Sequence, residues 1–136
     1  MVNVEVVTYD GMNNVLACAF SGTVGANPFG YMAVGKSTDT PDETSTGLGD
    51  ECSSADGDYA RVALSNTPVT DERKIQMEGV FDVDNITSST TITEVGIVDR
   101  ETLLEGVFFC ICQISSMTKS SDNQLRILIS ATLESV

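Results

Sequence analysis

Six consecutive apolar residues, Val107, Phe108, Phe109, Cys110, Ile111 and Cys112, constrain this chain more than any other stretch. A strand turns successive side chains to opposite faces, so Val107, Phe109 and Ile111 share one face and Phe108, Cys110, Cys112 and Ile114 the other. Both faces are apolar. Such a strand has to be covered twice, either between two sheets or between a sheet and a neighbouring subunit. The run sits inside residues 91–133, which read as two consecutive antiparallel strand pairs. Segment 92–98 leads through the polar loop 99–102 into a strand over 103–114. A polar connection over 115–123 then leads into 125–133. In the last segment Leu125, Ile127, Ile129, Ala131 and Leu133 face inward, while Arg126, Ser130, Thr132 and Glu134 face out. Leu128 is the exception on the outer face.

The rest of the chain must supply the sheets these strands lie in. Val2, Val4 and Val6 alternate with Asn3 and Glu5, a half-buried strand. Asp10-Gly11 and Asn13-Asn14 signal a turn, with a second strand expected over 15–20 and a Gly-rich loop over 21–27. Residues 29–34 read as a short strand ending at Gly35. From 36 to 58 the periodicity vanishes, and seven carboxylates fill a long loop with one helical turn expected at 48–52. Loops longer than about 12–15 residues inside a domain are usually functional or mobile, so this one is the candidate contact loop. Residues 59–65 read as a strand, broken by Thr67-Pro68 and Thr70-Asp71. Ile75, Met77, Phe81 and Val83 then share a face with Gly79, opposite Lys74, Gln76, Glu78, Asp82 and Asp84. That is an antiparallel strand with one wet face. A turn follows over 85–90. Seven or eight short strands without a long helix predict an all-β fold: an antiparallel β-sandwich, jelly-roll-like, as one domain over residues 1–136.

Charge narrows the function. The chain carries 20 acidic against 7 basic side chains, a net −13, and no histidine. Such a surface repels phosphate backbones and anionic lipid, which disfavours nucleic acid and membrane as partners. No apolar run approaches about 18 residues, and the N-terminus lacks a basic segment followed by an apolar core, so neither a membrane span nor a signal peptide is expected. Many carboxylates with few lysines suit a protein kept soluble in concentrated salt, which predicts a halophilic source. Four cysteines, Cys18, Cys52, Cys110 and Cys112, allow three full pairings. Their simplest reading is as small buried hydrophobes. No paired C-x-x-C knuckle offers a zinc site.

Several patterns fail their chemical test. Residues 30–37 match the phosphate-loop pattern G-x-x-x-x-G-K-S, but its variable positions are strand-like. Thr38, Asp39, Thr40, Pro41 and Asp42 follow, where a helix N-terminus is needed. Oxygen-rich loops can hold calcium, which makes Asp39, Asp42, Asp56 and Asp58 metal candidates, although no EF-hand spacing is present. Without histidine, Ser-His and Cys-His catalysis are excluded within one chain. Glu78, Asp82 and Asp84 on one strand face leave a paired-carboxylate hydrolase conceivable. Aromatic content of 6% with no tryptophan argues against a sugar-stacking cleft. Asn85-Ile86-Thr87 is a glycosylation triplet in an expected turn.

A spaced set of residues carries one resemblance. Residues 29–35 form a strand closing on glycine, and a Thr/Ser/Asp-rich loop ends in Leu48-Gly49-Asp50-Glu51. An alternating strand over 75–83 and Thr93-Glu94-Val95-Gly96-Ile97 follow. Leu103-Leu104, a Phe-containing strand, Lys119, Asp122 and the strand over 125–133 complete it. In this order the chain resembles small structural proteins of tailed viruses and prophages, of the kind that decorate capsids, form turrets or build tails. It departs from their pattern in having Cys52-Ser53-Ser54 and Glu105-Gly106 where a basic residue is expected. The resemblance implies a non-enzymatic, cofactor-free virion component, binding further copies of itself and other virion proteins. Phe29, Tyr31, Leu48, Glu51, Glu94 and Phe108 are then the interface candidates. Together with the salt reading it implies a virus of a salt-loving archaeon. The competing expectation is a calcium- or carbohydrate-binding β-module.

Overall fold

In the computed structural model, residues 4–16, 28–69 and 74–132 are described. They form β1 (Val4–Val7), α1 (Tyr9–Leu16), β2 (Tyr31–Gly35), a 3-10 turn (Ser54–Asp56), β3 (Val62–Ala63), β4 (Ser65–Val69), β5 (Lys74–Phe81), β6 (Thr90–Val98), β7 (Phe108–Lys119) and β8 (Leu125–Thr132). The strands make two antiparallel sheets, ordered β1-β7-β6-β2-β3 and β4-β5-β8. The fold is an all-β sandwich.

The alternation seen in the sequence explains how the layers close. Met77 and Phe81 from β5 and Leu125, Ile127 and Ile129 from β8 meet Met32, Val34, Ile92, Val95, Ile97, Cys110 and Cys112 of the larger sheet. Each fully buried aliphatic side chain here contributes about 1.5–3 kcal/mol from apolar surface removed from water. The sheets approach closely at Gly79, where the side chain of Met32 occupies the space a Cβ would need.

The outer face of the larger sheet carries a second cluster: Ala33, Val98, Phe108 and Ile111, with Tyr31 and Leu48 against it. The doubly apolar strand is therefore covered on one side by the second sheet. On the other it is covered by the chain's own 36–58 loop, through Leu48, and by α1, whose Gly11 lies on the backbone of Phe108 and Phe109. A β-bulge rearranges the expected faces. Ile97 pairs with Cys110 but Val98 with Phe108, so Phe109 is the extra residue. Phe108 thereby joins Ile111 instead of Cys110 and Cys112, while Phe109 turns to the inter-sheet core against Phe29, ring centroids 5.4 Å apart.

Several boundaries differ from the sequence expectation. Asp10-Gly11 and Asn13-Asn14 lie inside a helix. Thr8 caps it: its hydroxyl accepts the Gly11 amide at 2.9 Å and donates to the Phe108 carbonyl, and Asp10 sits in the first turn. The strand expected over 103–114 begins at Phe108 and runs on through the polar residues to Lys119. The segment 59–65 splits between β3 and β4, and Pro68 lies within β4, on the sheet edge where a missing N–H is tolerated. The helical turn expected at 48–52 forms instead at Ser54–Asp56. Val83 falls beyond the end of β5 and is exposed. Val2, Cys18, most of the strand expected over 15–20, the 21–27 loop, Thr70, Asp71, Leu133 and Glu134 lie outside the described residues.

Candidate functional site

The densest polar chemistry lies where the 36–58 loop leaves β2 and returns to it. After Gly35 the chain doubles back, so that Gly35 bridges Glu51, the Lys36 amide donates to the Asp50 carbonyl at 2.8 Å, and the Cys52 amide donates to Val34 at 3.0 Å. Glu94, opposite Gly35 in the β2–β6 register, reaches over the bare glycine into this bend. Its carboxylate accepts the amides of Asp50 (2.9 Å), Gly49 (3.0 Å) and Ser37 (3.3 Å). Glu94 is only 3% exposed, so those amides replace its lost hydration. Beside it the Thr93 hydroxyl donates to the Ser37 carbonyl at 2.7 Å.

Arg61, just before β3, ties a second loop to the first. Its Nε and Nη2 donate to the two carboxylate oxygens of Glu51, at 2.7 and 2.9 Å. Nη1 donates to the carbonyls of Arg100, Thr102 and Glu105, at 3.0, 2.8 and 2.7 Å. The guanidinium carbon lies 5.4 Å from the centroid of the Phe108 ring. Burial works to lower the Arg61 pKa, but the Glu51 carboxylate outweighs it and holds the guanidinium charged. The Tyr59 hydroxyl donates to Glu51 Oε1 at 3.0 Å and accepts the Val34 amide at 3.3 Å. Burial, then Glu51, raises the Tyr59 pKa far above its ordinary value. The free thiol of Cys52, buried next to this group, is pushed up to about 12, mainly by burial. Lys36 Nζ pairs with Asp56 at 3.1 Å, which raises the lysine, and Asp56 also accepts the Ser53 amide at 2.9 Å.

Five of the interface candidates gather here. Glu94 holds backbone amides, Glu51 holds the side chains of Arg61 and Tyr59, and Tyr31, Leu48 and Phe108 belong to the small apolar cluster on this face. Glu94 and Phe108, expected on a contact surface, are interior, because the loop has to be anchored before it can present anything. Phe29 packs apart, on Phe109. The metal candidates do not converge. Asp39 and Asp58 are exposed, the Asp42 carboxylate accepts from the Thr44 amide and hydroxyl while its own amide donates to the Ser45 hydroxyl, and Asp56 is taken by Lys36. Among the described residues no three acidic or cysteine side chains group as metal ligands.

Other singled-out residues are equally committed. Lys36 of the phosphate-loop pattern follows a strand and is paired with Asp56. Glu78 pairs with Arg126 at 2.9 Å, Asp82 accepts from Gln124 at 3.3 Å, and both Asp82 and Asp84 act on Lys119. The Asn85 amide exchanges two hydrogen bonds with the Ala60 backbone. Arg61 and Tyr59 escaped the sequence reading. The signal was a lone arginine within an apolar strand segment, ten residues beyond a glutamate that needed a basic partner.

Beside the Arg61–Glu51 pair opens a cleft of about 390 Å³, with Leu48, Glu51, Arg61, Leu104 and Phe108 among its walls. Leu104 stands 90% exposed at its rim, on a left-handed backbone of φ 62°. Within the cleft wall Glu51 and Arg61 satisfy each other, while Asp50 and Glu105 face solvent. Comparison with protein-family models, curated proteins and solved structures finds no match to the chain.

Proposed function

We propose that this protein is a non-enzymatic structural component of a virion, assembled in several copies on the capsid or tail of a tailed virus. The observation that carries the reading is how the buried charges are used. Glu94 accepts three backbone amides and Arg61 donates to three backbone carbonyls, so both fix the shape of surface loops. Fixed loops on a sandwich give each copy an identical surface at little entropic cost on docking, which suits repetition by symmetry. The order of segments that resembles virion proteins supports the same reading. The sandwich is its natural vehicle, since sheet edges and anchored loops both offer contact surfaces.

Light scattering on the purified protein in molar KCl, from dilute to concentrated, tests this. Discrete multimers are expected, resolved by electron microscopy as particles of defined symmetry. A strict monomer under all conditions would overturn the reading. The net charge of −13 carries the halophilic part of the proposal. Self-repulsion is screened as salt rises, so the unfolding midpoint should climb from low to molar KCl. Greatest stability at low salt would remove that part.

A further inference from the structure

We infer that β8 is a self-pairing edge, through which two copies of this chain join antiparallel into one continuous sheet across a two-fold axis. This rests on the multi-copy reading above and names the surface it would use.

Among the described residues β8 has β5 on one side and no strand on the other. Its pairing with β5 runs through eight consecutive residue pairs without a register shift, so the edge is regular and unbulged. Soluble proteins usually protect such an edge with proline, inward charge, a bulge or shortness. The other edges fit that rule: β4 contains Pro68, β1 has four residues and β3 two. β8 spans eight residues with no proline, no lysine and no acidic residue.

Charge is compatible with a second copy as the occupant, and the residue pattern of β8 argues for it. In a chain of net −13, the described strands β5 and β8 carry Lys74 and Arg126 against Glu78, two cations to one carboxylate. Two copies meeting along β8 bring no β8 carboxylate against another. Arg126 Nε lies 2.9 Å from Glu78 and its side chain stays 67% exposed.

The pattern of β8 is self-complementary. Directly opposed residues of an antiparallel pair share a face, so a two-fold axis normal to the sheet must place like-facing residues together. Centred on Leu128, it opposes Leu128 to Leu128, Ile127 to Ile129 and Leu125 to Ala131. The inner apolar face of one copy then continues into the other. The same contact covers Leu128, which is 56% exposed in the middle of the outer face. It also flanks an apolar cleft of about 270 Å³ between β8 and β1, lined in part by Val7, Met77, Phe109 and Ile129. Such an edge is smaller than the roughly 1,200–2,000 Å² of a standard interface, so single pairs associate weakly and repetition in an assembly makes them stick.

Sedimentation equilibrium on the full chain across protein concentration and KCl, with wild type and Leu128→Lys side by side, tests the edge. Wild type should dimerise more tightly as salt rises. The variant should weaken association at least tenfold, although it lowers the net charge, because it opposes two ammonium groups across the axis. Circular dichroism and melting establish that this exposed substitution leaves the fold intact. Hydrogen exchange read at low and high wild-type concentration should show β8 amides gaining protection with concentration. If Leu128→Lys associates as well as wild type, the copies meet elsewhere and this inference fails while the multi-copy reading stands. Protection of β8 that is equal at all concentrations means the edge is closed within its own chain, and also overturns it. A wild type that never associates fails both.

Discussion

Arg61 meets Glu51 in a two-pronged ion pair, Nε to Oε1 at 2.7 Å and Nη2 to Oε2 at 2.9 Å, with the arginine side chain 0% and the glutamate side chain 6% exposed. Removing one partner leaves the other charge buried alone, at about 3–5 kcal/mol. Lysine cannot reproduce a planar fork that serves a carboxylate and three carbonyls at once. Arg61→Lys should therefore lose most of what Arg61→Ala loses. Urea unfolding of the two variants checks this; a lysine variant within about 0.5 kcal/mol of wild type would show that the fork geometry is unimportant.

Glu94 tests the anchoring of the long loop separately. Glu94→Gln keeps the shape but turns an NH₂ group toward backbone amides that need an acceptor, which costs on the order of 1–3 kcal/mol. The expected signature is local. Amides of Ser37, Gly49 and Asp50 should exchange faster, and limited proteolysis should begin between residues 36 and 58. Cutting that starts elsewhere would show that Glu94 does not hold this loop.

Two glycines make a steric comparison. A Cβ on Gly11 would lie 2.6 Å from the Phe108 carbonyl oxygen and the Phe109 Cα, both backbone of β7. At Gly79 the obstacle is the Met32 side chain, whose thioether can swing aside. Gly11→Ala should therefore cost about 1–3 kcal/mol, the usual range for overpacking, and Gly79→Ala less. Melting temperatures of the two variants decide the order.

Alkali should unfold the protein through Cys52 and Tyr59. Their folded pKa values are raised above the ordinary 9.0 and 10.0, mainly by burial. Below pH 9 both are protonated in either state. Above it the unfolded chain loses protons the folded one keeps, so stability falls as pH rises. Lys119, lowered mainly by burial, works against this just below 10.5. The urea midpoint should be lower at pH 11 than at pH 8, with a shallower decline in Tyr59→Phe. In the native protein at pH 8, Cys52 should resist alkylation because it remains a buried thiol.

Much of this architecture was legible in the chain itself. The period of two in residues 75–81 and 125–132 set both inner faces of the smaller sheet, because each strand has one dry and one wet side. The apolar run around Ile111 demanded cover on two sides. Local rules failed where distant backbone decided the outcome. Asp10-Gly11 and Asn13-Asn14 read as a turn, yet they lie in a helix whose Gly11 fits against β7. The bulge at Phe109 reassigns Phe108 by one register step that no periodicity reveals. Arg61 and Glu51 are ten residues apart, and the three carbonyls completing their site lie about forty residues further on. The residue types announced that charges would need partners. Only the folding of two loops onto one sheet chose which partners they found, since desolvation makes every buried charge depend on groups that sequence spacing does not bring together.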